Sequence, residues 1–233
     1  MGLAVITGGS KGIGRAIAEA FAAGGYEVLI NARNEQELND TKAEIEKQFG
    51  VKCHVFAADL SSKKDCNALV AYVKSLNLPL DALVNNAGKF AMGPLMGVEN
   101  DDLEQLIETN LYSAFWLTRG FYDLLKASGK AHVFNICSIA SLSAYPNSGA
   151  YTVSKFAMLG LSKSLRMELM PDNIKVTSIM PGATYTSSWD GVDIPESRFM
   201  KASDVAESVW SAFQLSPSAV VEEIVLRPIL GDI

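Results

Sequence analysis

Short apolar, β-branched runs alternate along most of the chain with stretches in which apolar residues repeat every four positions. The apolar runs lie at 3–6, 28–30, 51–57, 82–84, 133–136, 176–179 and 220–226. The helical repeat is clearest in Val153, Ala157, Leu161, Leu165 and Leu169, which would line one helix face. Near-continuous apolar strands that alternate with helices are typical of a parallel sheet covered on both faces. The pattern therefore predicts a doubly wound α/β fold with about seven strands.

Polar and turn-forming residues mark several expected helix boundaries. Residues 100–102 (Asn-Asp-Asp) can cap the start of a long helix, and their negative charges can stabilise the positive end of its dipole. Pro171 and Asp172 can end another helix, and Ser203 and Asp204 can open a late one. These boundaries agree with the alternation of strands and helices.

The chain has no repeat, low-complexity tract or flexible linker that would divide it, so we expect a single domain over residues 1–233. The longest stretch without clear periodicity runs from 183 to 200. A loop of this length inside a compact domain is more often functional than idle. We therefore expect residues 183–200 to form a lid.

Composition excludes several classes of function. Hydrophobic residues make up 48% of the chain and charged residues 20%, with a net charge of −6 and no basic block. This charge balance argues against a nucleic acid as a partner. No apolar stretch is long enough to span a membrane and no cationic leader precedes the first strand, which favours a cytoplasmic protein. Three cysteines without a C-x-x-C spacing and two separated histidines argue against a disulfide framework or a metal site.

The stretch TGGSKGIG at 7–14 joins the first predicted strand to the first predicted helix. Unpaired backbone N–H groups and the positive end of the helix dipole make such a junction an anion site. Gly8, Gly12 and Gly14 can let the backbone turn sharply and let a diphosphate come close. Glycines here could equally make only a tight turn, since a short glycine pattern alone does not decide between the two.

The glycine spacing T-G-x-x-x-G-I-G resembles that of the classical short-chain dehydrogenase/reductase family, and further motifs of that family follow in order. They are Asp59-Leu60, Asn85-Asn86-Ala87-Gly88, Ser138, Tyr151-Thr152-Val153-Ser154-Lys155 and Pro181-Gly182. The resemblance implies a Rossmann-like domain that binds a nicotinamide dinucleotide. The glycine-loop residues Gly8, Ser10, Lys11, Gly12, Ile13 and Gly14 are then expected to bind this cofactor.

The resemblance also assigns the rest of the nucleotide site. Asp59 and Leu60 should lie at the adenine, and Asn86, Ala87 and Gly88 on the adenosine side. The nicotinamide carboxamide should be held by Pro181, Gly182, Thr184 and Thr186.

The choice between the two nicotinamide dinucleotides depends on residues 31–34, which follow the second strand and read Asn-Ala-Arg-Asn. A site selective for NAD usually carries a carboxylate at this strand end, and none is present here. The Arg33 guanidinium could donate two hydrogen bonds to the ribose 2′-phosphate that distinguishes NADP(H), and Lys11 could add a second positive charge there. The alternative is that both are solvated surface charges. We predict NADP(H) as the cofactor.

Tyr151 and Lys155 are four residues apart, which on a helix puts both side chains on one face. A phenol beside an ammonium group ionises more readily, so the pair suits acid–base chemistry. In the family this tyrosine exchanges a proton with the substrate oxygen, and the lysine also binds the nicotinamide ribose. By the same resemblance, Ser138 hydrogen-bonds the substrate oxygen and Asn110 holds a water in a proton relay. The expected activity is reduction of a carbonyl compound to an alcohol.

Substrate selectivity should lie in residues 139–150 and in the lid. Tyr145 and Trp189 are the candidate substrate residues, and lid aromatics could either cover a flat carbonyl compound or simply pack the lid. The last quarter of the chain resembles bacterial sepiapterin-reductase-like members of the family. This favours a pterin side-chain ketone or a diketone.

Two alternatives remain open from the sequence. One is a β-ketoacyl-carrier-protein reductase, although the glycine-rich finish common in those enzymes is absent. The other is a non-catalytic NADP(H)-sensing regulator, although such proteins typically lack the tyrosine–lysine pair. The resemblance also implies a homodimer or homotetramer joined through helices over about 101–125 and 151–170. Phe115, Trp116, Phe121 and Tyr122 could serve that interface or the core.

Overall fold

The computed structural model describes residues 2–97, 102–189 and 191–233. Its strands are β1 (Leu3–Thr7), β2 (Glu27–Ala32), β3 (Cys53–Ala57), β4 (Leu80–Asn85), β5 (His132–Ile136), β6 (Lys175–Pro181) and β7 (Glu223–Leu226). Within the described residues these seven strands form one parallel sheet in the order β3-β2-β1-β4-β5-β6-β7. The predicted fold class, a single doubly wound α/β domain, is confirmed.

Helices cover both faces of the sheet. They are α1 (Gly12–Ala23), α2 (Glu35–Phe49), α3 (Lys63–Ser75), α4 (Asp102–Ile107), α5 (Ser113–Ser128), α6 (Gly149–Leu169) and α7 (Ala202–Phe213). Side chains of a strand point alternately to opposite faces, so β1 contributes to two cores. Ala4 and Ile6 belong to the core with α1 and α7, whereas Leu3 and Val5 belong to the core with α3 and α5.

The strand order creates the crevice in which the site lies. β1 is the third strand of the sheet, and its neighbours β2 and β4 are reached by chain connections that leave in opposite directions. In a sheet of this kind a cleft forms beyond the carboxyl ends of the strands at this point. The residues predicted to bind the nucleotide lie at or after the carboxyl ends of β1, β2, β3, β4 and β6, and on α6.

The predicted helix over about 101–125 is divided in the structure. α4 ends at Ile107, a π-helical turn spans Glu108–Tyr112, and α5 continues from Ser113. Asn100 and Asp101, predicted to cap the start, lie outside the described residues. Since π-helical bonds join residues five apart, the turn leaves no signature in an apolar pattern that repeats every three or four residues.

Other predicted boundaries shift by a few residues. α6 ends at Leu169 and is followed by a 3₁₀ turn over Met170–Asp172, as the proline predicted. α7 begins at Ala202, one residue before Ser203, with the Asp204 carboxylate accepting a 3.0 Å hydrogen bond from the Lys201 N–H. The last strand covers 223–226 rather than 220–226, because pairing with β6 starts at Glu223.

Four aromatic residues of α5 were assigned to either an interface or the core. Phe121 is completely buried in the core with α3, and Trp116 and Tyr122 are partly buried against the same core. Phe115 is 38% exposed. Of these four, Phe115 is therefore the one that remains on the surface of the single chain.

Candidate active site

A single cleft of about 1100 Å³ runs from the glycine turn to the loops that follow β5 and β6. Every residue predicted at the cofactor or the substrate lines it, as do Ser138, Tyr151 and Lys155. Asn110 does not line the cleft, because it lies buried behind the cleft wall. The fold thus brings together side chains from distant parts of the sequence.

The turn between β1 and α1 brings the backbone close to itself. Gly8 has φ of +63° and Gly12 has φ of +56°, in the left-handed region that favours glycine. A Cβ on Gly14 would lie 2.2 Å from the Gly8 carbonyl oxygen, so no side chain fits there. The first turn of α1 carries no acidic residue and faces the cleft through Gly12, Ile13 and Gly14. Its unpaired N–H groups can therefore receive an anion.

Thr7 and Asn86 fix this turn against the end of β4. The Thr7 hydroxyl oxygen accepts hydrogen bonds from the backbone N–H groups of Asn86 at 2.9 Å and Ala87 at 2.8 Å. The Asn86 amide donates to the carbonyl oxygens of Thr7 at 2.8 Å and Gly8 at 3.1 Å. Asn86 and Ala87 line the cleft as predicted, but the Asn86 side chain is committed to holding the glycine turn.

The far end of the cleft carries two cations and one carboxylate. Arg33 and Lys11 are exposed, and neither forms an ion pair or a hydrogen bond through its side chain with any residue that the structure describes. The Ser10 hydroxyl donates a 3.4 Å hydrogen bond to Glu37, which lies in the first turn of α2 and also lines the cleft. Glu37 was not predicted from the sequence, because a carboxylate was expected only at the strand end.

Asp59 and Leu60 follow β3 at the edge of the same cleft. One Asp59 carboxylate oxygen accepts hydrogen bonds from the Ser61 backbone N–H at 3.0 Å and hydroxyl at 2.9 Å. Leu60 is buried in the core. The Asp59 carboxylate is thereby held in one orientation at the cleft wall.

Tyr151 and Lys155 lie one turn apart on α6. The Lys155 Nζ donates a 2.9 Å hydrogen bond to the Ile136 carbonyl oxygen at the end of β5, and it lies 5.7 Å from the centre of the Tyr151 ring. Lys155 is only 7% exposed, whereas Tyr151 is half-buried and opens onto the cleft. The Tyr151 hydroxyl makes no hydrogen bond within the described ranges, so it can meet a substrate oxygen.

Ser138 directly follows the β5 end and caps the 3₁₀ turn Ile139–Ser141. Its hydroxyl oxygen accepts a 3.1 Å hydrogen bond from the Ala140 N–H, and its own N–H donates to the Ser141 hydroxyl at 3.2 Å. The Ser138 hydroxyl proton is not used in either bond. It can be donated to a group in the cleft.

Asn110 lies in the π-helical turn and connects the loop after β4 to α6. Its side-chain oxygen accepts a 2.7 Å hydrogen bond from the Lys89 N–H, and its amide donates to the Lys89 carbonyl oxygen at 3.0 Å. The amide also donates to the Ser154 hydroxyl at 2.9 Å. In this structure Asn110 positions the backbone at residue 89.

The segment after β6 approaches the glycine turn from the other side. The Gly182 N–H donates to the Leu226 carbonyl oxygen at 2.8 Å, and the Thr184 hydroxyl donates to the Gly182 carbonyl oxygen at 3.0 Å. A Cβ on Gly12 would lie 3.1 Å from the Thr186 methyl carbon, so Thr186 lies directly over the turn. Pro181, Gly182, Thr184 and Thr186 thus form one wall of the cleft.

The predicted lid is a loop closed at its base. Backbone hydrogen bonds join the Tyr185 N–H to the Met200 oxygen at 2.9 Å and the Met200 N–H to the Ala183 oxygen at 3.0 Å. Phe199 contacts Tyr185 and Trp189, with ring centroids 5.8 and 5.0 Å apart. Of these three aromatics, Trp189 lines the cleft. The lid aromatics thus pack together, and one of them also faces the cleft.

Tyr145 lines the cleft, but its hydroxyl is bound by the end of the chain. It donates a 2.7 Å hydrogen bond to Asp232, which also pairs with Arg227. The Arg227 guanidinium, and to a lesser degree Tyr145, lower the pKa of the Asp232 carboxyl. Ile233 next to it lines the cleft as well. The polar group of Tyr145 is thus already engaged.

Lys89, Phe90 and Met92 also line the cleft with Tyr151, and they were not predicted from the sequence. They directly follow the Asn85–Gly88 motif, and that position was the available signal. Phe90 makes edge-to-face contact with the Tyr151 ring, with centroids 4.8 Å apart.

The described residues were also compared with what a metal site, a membrane span or a reactive cysteine would require. Among the described residues, no three His, Cys, Asp or Glu side chains come together as metal ligands. No helix in this part of the chain is both long and apolar enough to cross a membrane. Cys137 lies beside Ser138, but burial raises the pKa of its thiol to about 11, so it stays protonated at neutral pH.

Comparison with known proteins identifies related sequences and structures. The family model described as short chain dehydrogenase matches residues 2–195. A sepiapterin reductase from Chlorobaculum tepidum is 33% identical, and the alignment covers 98% of this chain and 97% of that protein.

Two solved structures have the same fold over nearly their whole lengths. An alcohol dehydrogenase from the archaeon Thermococcus sibiricus, complexed with 5-hydroxy-NADP, superposes with a TM-score of 0.92 at 28% identity, covering 100% of this chain and 99% of that one. The L-sorbose reductase from Gluconobacter frateurii, complexed with NADPH and L-sorbose, gives a TM-score of 0.91 at 28% identity, with coverage of 97% and 95%.

Proposed function

The chain belongs to the short-chain dehydrogenase family, and from this premise we propose that it is an NADP(H)-dependent reductase of carbonyl compounds. One observation carries the proposal: Ser138, Tyr151 and Lys155 line the same cleft as the glycine turn. A side-chain proton donor therefore opens onto the space where a bound dinucleotide and a carbonyl compound would meet.

The residues at the glycine turn fit a dinucleotide. A Cβ would lie 2.9 Å from the Asn86 amide nitrogen at Gly8 and 2.2 Å from the Gly8 carbonyl oxygen at Gly14, so the tight turn that would face a diphosphate requires glycine at both positions. Arg33 and Lys11 are two cations without ion pairs among the described residues, and Arg33 follows β2 where a ribose 2′-phosphate is recognised. The solved relatives complexed with NADPH or an NADP derivative support the same cofactor.

The proposed chemistry uses this chain's residues to bind the carbonyl oxygen and protonate it. NADPH, when bound, supplies the hydride that reduces the carbonyl carbon. Tyr151 gives its hydroxyl proton to the developing alkoxide, and Ser138 donates a hydrogen bond to the same oxygen. The Lys155 ammonium group, 5.7 Å from the centre of the Tyr151 ring, holds a positive charge beside the phenol that gives up the proton.

Asn110 contributes to this chemistry by fixing the backbone at residue 89 and by its contact with Ser154, which itself donates a 2.7 Å hydrogen bond to the Tyr151 carbonyl oxygen. The family resemblance adds a water held by Asn110 that passes protons to Lys155. The lid over 183–200 would cover the reacting groups and exclude bulk water from them.

The proposed substrate is a pterin side-chain ketone, with simple diketones as the alternative. The sepiapterin reductase relative supports the first, since it aligns over nearly the full length of both proteins. The aromatic side chains at this end of the cleft, among them Trp189, suit a flat heterocycle.

The proposed assembly is a homodimer or homotetramer. Apolar side chains remain exposed on α5 and α6, including Phe115, Val153, Phe156 and Met167. Exposed apolar side chains on the two helices predicted to join the subunits favour a protein interface there. Size-exclusion chromatography with light scattering gives the number of subunits. A monomer would contradict this part of the proposal.

The test of function is the loss of NADPH absorbance with sepiapterin, diacetyl and β-ketoacyl thioesters as separate substrates. We expect turnover with sepiapterin and a kcat/KM at least about tenfold lower with NADH than with NADPH. If the protein reduced diacetyl but not sepiapterin, the proposed substrate would be a diketone instead of a pterin. Binding of NADPH without turnover of any carbonyl compound would favour a regulator instead.

A further inference from the structure

The segment after β7, residues 227–233, starts beside the wall of the cleft that follows β6. The Leu226 carbonyl oxygen accepts a 2.8 Å hydrogen bond from the Gly182 N–H at the start of this segment. Pro228 is buried, and a Cβ on Gly182 would lie 3.1 Å from the Pro228 Cδ atom. The segment is therefore packed directly against Gly182, which lines the cleft.

A tight turn then sends the segment back toward the loop that follows β5. The Gly231 N–H donates a 2.9 Å hydrogen bond to the Pro228 carbonyl oxygen, and Gly231 has φ of +84°, in the left-handed region that favours glycine. The Ile229 side chain on this turn is 99% exposed. Because the chain reverses here, Asp232 lies within reach of both Arg227 and Tyr145.

Asp232, Arg227 and Tyr145 contact one another, and we call these three residues the Asp232 cluster. The Tyr145 hydroxyl donates a 2.7 Å hydrogen bond to the Asp232 carboxylate, and the Arg227 guanidinium donates a 3.3 Å hydrogen bond to the Tyr145 oxygen and pairs with Asp232. The Arg227 side chain is 40% exposed and that of Asp232 is 26% exposed, and an ion pair this accessible adds little to stability. The main effect of the cluster is therefore on position.

Ile233 directly follows the cluster, and it lines the cleft. Tyr145 belongs to the loop that connects Ser138 to Tyr151, so the cluster joins the segment after β7 to the loop beside the proposed catalytic groups. Ile233 places an aliphatic side chain in the cleft, where it occupies volume and offers no hydrogen bond to a ligand.

We propose that Ile233 is a specificity-determining residue that limits the size of the group beside the substrate carbonyl, and that Asp232 is the positioning residue that holds Ile233 in the cleft. The inference rests on the proposed carbonyl reduction and deepens it by assigning a size limit to the substrate. Asp232 acts through Arg227 and Tyr145 and makes no contact with the substrate.

The test of the size limit compares diacetyl with 3,4-hexanedione, which share the diketone group and differ by one methylene on each side. We expect Ile233→Ala to raise the ratio of kcat/KM for 3,4-hexanedione over diacetyl about tenfold, because the smaller side chain leaves room for the added methylene. Ile233→Leu conserves volume and should keep the ratio within about twofold of the wild-type value. Ile229→Ala is the matched control, since it makes the same change on the same segment at a side chain outside the cleft.

Asp232→Asn tests the positioning role. Asparagine keeps the size of the side chain but loses the charge that pairs with Arg227, so the same ratio should rise at least about threefold. In the Ile233→Ala background the substitution should change the ratio by less than about twofold, because the side chain that Asp232 positions is already shortened.

Two results would overturn the role of Asp232. One is a full additive effect of Asp232→Asn in the Ile233→Ala background. The other is a loss of turnover confined to substrates that carry hydrogen-bond donors, because Asp232 would then bind the substrate itself.

Binding to the NADP⁺ complex, in which a diketone cannot be reduced, separates this inference from the proposed function. Titration calorimetry should show that 3,4-hexanedione binds about tenfold more tightly to Ile233→Ala than to the wild-type protein, whereas the affinity for diacetyl changes by less than about twofold. This result supports the inference even if the wild-type protein reduces neither compound. An unchanged dissociation constant for 3,4-hexanedione together with an unchanged kcat/KM ratio overturns the inference and leaves the carbonyl reductase proposal intact.

Discussion

The ammonium nitrogen of Lys155 lies 5.7 Å from the centre of the Tyr151 ring, and it is anchored there by a hydrogen bond to the Ile136 carbonyl oxygen. The anchor crosses from α6 to the end of β5, so the sheet itself holds the cation beside the phenol. Lys155 is almost fully buried, and its position is therefore set by packing rather than by solvent.

Replacing Lys155 with Gln should lower kcat by at least about 100-fold, because the phenolate formed at Tyr151 loses its neighbouring positive charge. Lys163→Gln is the matched control. That lysine lies two turns further along α6, is exposed and pairs with Glu223. Steady-state rates of NADPH oxidation measure both variants, and an equal effect of the two would argue against a specific role for Lys155.

The charges around the proposed 2′-phosphate site should act in opposite directions. Arg33→Ala should raise the KM for NADPH about tenfold and leave that for NADH unchanged, whereas Glu37→Gln should lower the KM for NADPH by removing a nearby negative charge. Lys42→Ala serves as the control, since Lys42 lies on the same helix as Glu37 but outside the cleft. Equal responses to NADPH and NADH would mean that Arg33 does not meet the phosphate.

Substitution of two glycines by alanine should have opposite effects, one weakening NADPH binding and the other stabilising the fold. In Gly14→Ala the new methyl group would lie 2.2 Å from the Gly8 carbonyl oxygen, so the turn must open and NADPH binding should fall at least about 100-fold. Gly160→Ala on α6 meets no atom within 4 Å and should stabilise the fold by about 0.5 kcal/mol. Calorimetric titration and thermal unfolding measure the two effects, and NADPH binding by folded Gly14→Ala at wild-type affinity would contradict the proposed diphosphate site.

Buried His132 should make the protein less stable in mild acid. Thr177 donates its hydroxyl proton to the Val221 carbonyl oxygen, so the His132 Nε2–H donates to the Thr177 oxygen at 2.7 Å. Burial, with a smaller contribution from Lys175, lowers the pKa of His132 to about 3. In the unfolded chain His132 becomes protonated near pH 6.5, whereas in the folded protein it stays neutral until about pH 3. The free energy of unfolding therefore decreases as the pH falls from about 6.5 towards 3, and this group has no effect on it above that range.

Through this one group, the free energy of unfolding should be about 2 kcal/mol lower at pH 5 than at pH 7. Urea denaturation at the two pH values measures the difference. His132→Phe should show a correspondingly smaller decrease, because phenylalanine takes up no proton in either state. An identical pH dependence in both proteins would show that His132 does not titrate as the structure implies.

Local patterns were sufficient for the fold and for much of the site. The strands could be predicted because buried parallel strands are apolar throughout, and the glycine turn because its steric requirement appears within eight consecutive residues. Tyr151 and Lys155 could be paired because helical spacing alone places them on one face.

Features that depend on tertiary contacts could not be predicted in the same way. Glu37 lines the cleft in contact with Ser10, and Ile233 lines it beside Asp232, which binds Tyr145. Phe90 is placed by Asn110, which itself projects from a π-helical turn that leaves no periodic signal. In each case the side chain's role depends on a neighbour distant in sequence.

The most direct test of the account is a comparison of Tyr151→Phe with the wild-type protein, using the best carbonyl substrate and measuring NADPH affinity in parallel. Removal of the hydroxyl oxygen should reduce kcat by at least about 100-fold while the dissociation constant for NADPH stays within about twofold, because the phenyl ring still fills its place on α6. Turnover by Tyr151→Phe at the wild-type rate would contradict the central claim that this hydroxyl donates the proton.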